Sequence, residues 1–324
     1  MVSRQPMVIK KIFEIERKPR KGFLAVEWVI LAYMLFTLLL MLLTSTKLQN
    51  PESMLWGRAR FLVMTLALWG VYRMIPCRFT MMCRVGAQMA LLSWWYPDTY
   101  EFNRMFHNLD HVFAGYEQQL FHMQPALLFS QKLSLPVFSE LMHLGYASYY
   151  PLIALVTLYY FLYRYQEFTR ATFIILSSFF VYYVIFILLP VAGPQYYYLA
   201  AGVDQIAQGQ FPDVSNYFAT HDEALPIPGW KDGFFYQCVA SAHAAGERPT
   251  AAFPSSHVGI TTILLFLAWH ARNRKLLYTL LPFYVLMCFA TVYIQAHYAV
   301  DVIGGWISAV VIYTVLLFLS KKFV

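Results

Sequence analysis

Two short runs in this sequence carry residue types that do chemistry. Phe253-Pro254-Ser255-Ser256-His257 stands directly before an apolar run from Val258 to Trp269. Pro and Ser are helix-start residues. A helix start offers an anion free backbone N–H groups and the positive end of the helix dipole. The hydroxyls of Ser255 and Ser256 add donors, and His257 falls in the first turn, beside whatever anion binds. An ordinary capped helix with a histidine at its mouth is the plainer reading. The second run, His297-Tyr298-Ala299-Val300-Asp301, lies between two strongly apolar stretches. His and Asp at i and i+4 meet if the run is helical. An Asp that accepts from one ring nitrogen leaves the other lone pair free, which makes His297 a nucleophile or a base. The competing reading is a structural His–Asp bond between helices. The cost of ionisable groups near membrane depth favours use over ornament.

The rest of the chain must position these runs. Its 324 residues are 59% hydrophobic and only 13% charged, about half the charge of a soluble domain. That excludes disorder, a soluble single-core enzyme and a secreted disulfide scaffold. It points to an all-α, polytopic membrane helix bundle. Eight spans are expected, near 23–45, 59–76, 80–96, 136–162, 170–190, 255–271, 276–296 and 299–319. The second and third are short and carry Arg73, Arg84 and Gln88, so a shallow hairpin is the alternative there. The net charge of +7 comes from basic residues clustered in alternate connections, seven of them within residues 1–22. This is a positive-inside pattern rather than a nucleic-acid signal. It places both termini in the cytoplasm, with Lys321 and Lys322 at the inner end of the last span. The first apolar run is too long for a signal-peptide core and is expected to remain as a membrane helix. No disulfide is expected, because Cys238 alone falls outside.

Three regions follow: a basic cytoplasmic N-terminus (1–22), N-terminal membrane helices with outer interfacial helices (23–135), and a C-terminal membrane region (136–324) that holds both runs and a long outer loop, 191–253. The interfacial stretch 97–135 mixes Asp110, His111, Glu117 and His122 with Phe, Leu and Tyr, as amphipathic helices do. A loop of some 60 residues is far longer than an ordinary connection and suits a lid or substrate-binding element. The span after His257 runs inward and the next returns. His257, His297 and Asp301 are therefore expected on one extracytoplasmic face, although 40 residues separate the histidines.

Pro254-Ser255-Ser256-His257 followed by His297-x-x-x-Asp301 resembles the type 2 phosphatidic acid phosphatase superfamily, over about residues 136–324. The resemblance implies a six-helix catalytic core, to which the N-terminal helices are extra. It also implies catalysis by His257, His297 and Asp301. The chain departs from the family pattern in three places. Ser256 replaces a Gly, Ala290 and Thr291 stand where Ser-Arg is usual, and Arg248-Pro249 lacks its upstream Lys. These departures, with Phe253 to His257, His297-Tyr298 and Asp301, are similar to the lipid phosphotransferases of the superfamily and to the inositol phosphorylceramide synthases in particular. Asn108-Leu109-Asp110 to Pro125, Glu140 and Tyr146 to Tyr150 add to that likeness.

The resemblance implies transfer of inositol phosphate from phosphatidylinositol to ceramide, with a lipid phosphate phosphatase as the alternative. A membrane protein with a disabled site is the reading from another class, and the intact triad counts against it. In the transferase reading His297 attacks phosphorus, Asp301 steadies the imidazolium, and His257 serves as acid and then base. Ser255, Ser256 and Arg248 are candidate phosphate ligands, as is Gln195 in the helix-stop run Gly193-Pro194-Gln195-Tyr196. Glu140 and His143, at i and i+3, and Lys231 are candidates for substrate binding, with helix–helix hydrogen bonding the plainer role for the first two. No cofactor is expected, and no acidic cluster suits Mg²⁺. The expected partners are a phospholipid donor, a ceramide acceptor and the bilayer, with no nucleic acid and no obligatory protein partner.

Overall fold

The computed structural model describes residues 11–324. Among these the secondary structure is helical, apart from one isolated bridge between Ile15 and Cys77. The helices are α1 (Ala25–Thr44), α2 (Pro51–Met74), α3 (Arg78–Ala90), α4 (Leu92–Asn103), α5 (Asp110–Phe121), α6 (Pro125–Lys132), α7 (Pro136–Ala147), α8 (Tyr149–Tyr163), α9 (Tyr165–Leu188), α10 (Pro194–Ala201), α11 (Val203–Ala207), α12 (Phe234–Gly246), α13 (Ser256–His270), α14 (Arg274–Tyr293) and α15 (Ala299–Phe323).

Four of them, α1, α9, α14 and α15, are long and apolar enough to cross a bilayer, and α7 with α8 makes a fifth span bent by 46°. The bend has a local cause. Pro151 lacks the amide that would bond the Ala147 carbonyl, and its ring crowds that carbonyl. Helix α13 is apolar but has only 15 residues. Side chains such as Leu42 and Leu43, 75% and 82% exposed, are at home only against lipid. The protein is a multi-pass membrane protein.

The expected spans at 59–76 and 80–96 lack this character. Helix α2 carries Arg58, Arg60 and Arg73, and α3 has 13 residues. The charges are placed by pairing rather than by exposure. By Cα packing the chain forms two compact units, and the first holds residues up to 98, 157–180 and 316–324. Within it Arg84 is fully buried and donates to both carboxylate oxygens of Glu27 at 2.6 Å. The Glu27 Oε2 also accepts the Leu24 N–H that opens α1. Arg58 forks onto Asp98 at 2.7 and 3.1 Å, and Gln88 donates to Thr65. Buried charges persist only when matched in this way.

The second unit holds residues 99–156 and 181–315. Here α14 packs on α6, α7 and α13, and α12 packs on α7. Gly145 lets α7 come close to α14, because a Cβ there would lie 2.8 Å from that of Leu286. The long outer loop has secondary structure of its own. It folds into α10, α11, a short 3₁₀ turn (Tyr217–Ala219) and α12. The stretch expected as interfacial helices does form α5 and α6, and it joins the packing of this unit rather than standing apart, as the site itself shows.

Candidate active site

The two sequence runs converge at adjacent helix ends. Helix α13 begins where the Phe253–Ser255 loop turns, and Ser255 is its N-cap, accepting the Val258 N–H at 3.4 Å. Helix α14 runs back and ends at Tyr293, just before the loop that holds His297. The backbone N–H of Ser255 donates to the Asp301 carbonyl at 3.0 Å. Close packing of this loop on α15 depends on Gly304 and Gly305, where a Cβ would reach within 2.6 Å of Phe253 and 2.7 Å of the Ser255 carbonyl. The result brings His297 Nε2 to 3.4 Å from His257 Nδ1.

Each ring is fixed differently. His297 is buried, and its Nδ1 lies 2.7 Å from the Ala252 carbonyl oxygen. A carbonyl only accepts, so Nδ1 carries the hydrogen and Nε2 presents its lone pair to His257. Burial pushes the His297 imidazole down to about 4, while the Ala252 carbonyl and the Glu247 charge pull the other way. His297 is therefore neutral and unblocked at neutral pH. The acidic limb of its nucleophilic step should fall near pH 4 instead of the ordinary 6.5. A pH profile of kcat/KM with the lipid donor checks this, and a limb near 6.5 would refute it. His257 is half-buried against two phenols, stacked on Tyr146 at 4.5 Å and tilted against Tyr149 at 4.3 Å.

Asp301 departs from the expected arrangement. His297 is not helical, since α15 begins at Ala299. The Asp301 carboxylate is instead the third residue of that helix and accepts the Tyr298 N–H at 2.8 Å, half of a capping box. Its Oδ2 stays 3.6 Å from His297 Nδ1. The Ala252 carbonyl holds the ring, and the Asp301 carboxyl lies beside it.

Two carboxyls from the stretch expected as interfacial helices, one of them Asp110 of the run likened to the phosphotransferase branch, support this core. Asp110, fully buried, accepts from Ala192 N (2.6 Å), Gly193 N (2.8 Å), Asn108 Nδ2 (2.6 Å) and the Tyr298 hydroxyl (2.9 Å). Burial raises its pKa, and those four donors oppose the rise. Gly193 has φ +99°, and a Cβ there would meet the Ala296 carbonyl at 2.7 Å, so only glycine lets this strap lie beside the His297 loop. Glu117, one helical face along from Asp110, accepts from Val300 N at 3.2 Å, near the start of α15. The available signal was two carboxylates seven apart among apolar residues, which share a helix face.

Burial first, and then the Asp301 charge, push the Glu117 carboxyl up to about 8. Its contribution to stability is complete below the ordinary carboxylate value of about 4.3. It is lost progressively as pH rises through the folded value, because the folded protein holds a proton that the unfolded chain has released. Thermal unfolding of Glu117→Gln should therefore depend less on pH between 5 and 8.5 than that of the parent. Parallel curves would refute the assignment.

The other sequence candidates are placed as follows. Ser256 is hydrogen-bonded with the Tyr149 hydroxyl. Arg248 is exposed and donates to Asp222 at 2.7 Å. Gln195 is buried and braces the loop, with its amide donating to the Leu225 carbonyl and its backbone N–H to that of Gln295. Glu140 accepts from Phe235 N and Tyr236 N at 3.0 Å and so caps α12, the plainer of its two expected roles. His143 is buried with Nδ1 on the Ser139 carbonyl. Lys231 is exposed in the turn before α12. Thr291, where the family's Arg would stand, is buried and its carbonyl accepts the His297 N–H. Among the described residues no three His, Cys, Asp or Glu side chains gather to hold a metal ion, and Cys77, Cys83, Cys238 and Cys288 are all free.

Fold and site together describe a helical membrane protein that brings two histidines and a carboxylate to neighbouring helix ends. The chain belongs to the PAP2 superfamily, whose family model matches residues 111–315. That match begins ahead of the expected 136 and takes in α5 from its second residue, so that it includes Glu117 and starts one residue after Asp110. Membership points to phosphatase or phosphotransferase chemistry on lipid phosphoesters. No similar curated protein and no similar solved structure was found.

Proposed function

We propose that this protein is a lipid phosphotransferase that moves inositol phosphate from phosphatidylinositol to ceramide and releases diacylglycerol. The observation that carries the reading is the contact of His297 Nε2 with His257, with Nδ1 engaged behind it. His297 Nε2 attacks phosphorus, and the bond to the diacylglycerol oxygen breaks with its electron pair going to that oxygen. His257, protonated in this step, supplies the proton and is left neutral. The ring of the phosphohistidine is then cationic, and the Ala252 carbonyl and the Asp301 charge stabilise it. In the second half, His257 takes the proton of the ceramide hydroxyl as its oxygen attacks phosphorus, and the electron pair of the P–N bond returns to Nε2.

Two features favour a transferase over a phosphatase. The cation that the family places beside the nucleophile is replaced by the buried Thr291, which suits a phosphodiester with one charge better than a monoester with nearly two. His257 is also walled by Tyr146 and Tyr149, and an apolar wall favours a lipid hydroxyl over water. The catalytic face is taken to be extracytoplasmic, in line with the charge pattern. Purified protein incubated with ceramide and a panel of phospholipids, with products read by mass, tests the reading. Inositol phosphorylceramide is the expected product. Inorganic phosphate release from phosphatidic acid, with no headgroup on ceramide, would replace this reading with a phosphatase.

A further inference from the structure

We propose that the cavity walled by His243, Glu247 and Arg248 is the headgroup subsite and that it is built for a polyhydroxylated headgroup. The proposal rests on the phosphotransferase reading and assigns residues to it. The cavity, of about 450 Å³, lies between α10, α12 and the segment 222–227, and Asp222, Glu247, Arg248 and His243 provide its charged and titratable groups. Arg248 donates to Asp222 across 26 residues of chain at 2.7 Å. The Nε2 of His243 is buried without a hydrogen-bond partner.

A single ring joins this cavity to the chemistry. Tyr146 lies 6.0 Å from His243, centroid to centroid, and stacks on His257 at 4.5 Å. On another side of the cavity, Gln195 is bonded through its backbone to Gln295, two residues ahead of His297. The proposal seats the headgroup here with its phosphate directed past Tyr146 toward the pair.

The composition of the wall chooses among headgroups. Each hydroxyl of a polyol both donates and accepts. Two carboxylates facing a guanidinium and an imidazole meet both needs at several hydroxyls at once. A quaternary ammonium is best served by aromatic faces without a nearby cation, and Arg248 opposes it. A phosphate monoester needs an excess of positive charge, which Asp222 and Glu247 cancel. Arg248 and Gln195 thus serve the headgroup and its support instead of gripping the phosphoryl oxygens, the task expected of them from sequence.

The test uses the full-length protein in lipid nanodiscs and two deacylated probes, glycerophosphoinositol and glycerophosphocholine, titrated calorimetrically. The parent should bind glycerophosphoinositol at least about tenfold more tightly. Glu247→Gln and Asp222→Asn should each reduce that preference by about tenfold or more, the usual effect of losing a hydrogen bond to a charged group. Asp222 is exposed, so its variant guards against misfolding. Equal binding of the two probes, or a preference that both variants retain, would overturn the proposal. Headgroup transfer to ceramide is measured separately in the same samples. Selective glycerophosphoinositol binding without any transfer would remove the phosphotransferase reading and leave the subsite standing.

Discussion

Replacing His297 with Ala is expected to abolish headgroup transfer, with a loss of at least about 10⁴-fold in kcat, as for other covalent nucleophiles. In the proposed scheme the substitution removes the nitrogen that forms the P–N bond. It also frees the Ala252 carbonyl from its 2.7 Å partner. Trapping with a labelled phospholipid separates chemistry from structure. A folded His297→Ala protein that still acquires covalent label, or still transfers the headgroup, would end the phosphohistidine scheme. His257→Ala should fall less far, by about 10²–10⁴-fold, the range for a general acid and base. It should still accumulate some label, because the nucleophile remains.

Asp110→Ala is expected to be the most damaging change outside the histidine pair. Its carboxylate gathers four donors at 2.6 to 2.9 Å in a fully buried place. Without it, the Ala192 and Gly193 amides and the Tyr298 hydroxyl lose their acceptor. Each such group costs about 1–3 kcal/mol to leave buried and unpaired. The protein should lose several kcal/mol of stability, about 3 or more, and most of its activity, since Tyr298 adjoins His297. Asp110→Asn keeps the volume but points a donor at donors, so it should be damaged as well. Thermal unfolding in detergent and kcat measured at a temperature where the variant remains folded give the two readouts. A variant with parental stability would show that Asp110 does not hold the loop.

Much of the site was legible because its residues obey local rules. Pro254 and Ser255 mark a helix start, and Ser255 is indeed the cap of α13. Antiparallel succession of α13 and α14 then forces His257 and His297 to the same end, whatever the exact boundaries. What sequence did not reveal are bonds between distant segments. Nothing local says that Ala252 offers its carbonyl to His297, and the i, i+4 spacing suggested Asp301 in its place. The helix starts two residues too late for that. Nor does the sequence tell which carboxylates pair within α1 to α4. Arg84 looks like a flaw in a span until Glu27 is seen beside it, and Arg58, just ahead of the other short span, finds Asp98 in the same way.

The 3.4 Å separation of the two histidine nitrogens leaves no room for phosphorus between them. A poised nucleophile stands about 3–3.5 Å from phosphorus, and the acid needs a further hydrogen-bond length, about 2.6–3.2 Å, to the departing oxygen. Any productive complex must therefore wedge the imidazoles roughly 3 Å further apart. Free phosphate or a short soluble ester brings little binding energy for that work, whereas a lipid anchored by two acyl chains brings a great deal. In the proposed scheme, a resting pair that closes on itself thus reserves catalysis for esters whose acyl chains supply that work, while a deacylated headgroup can still occupy its own subsite.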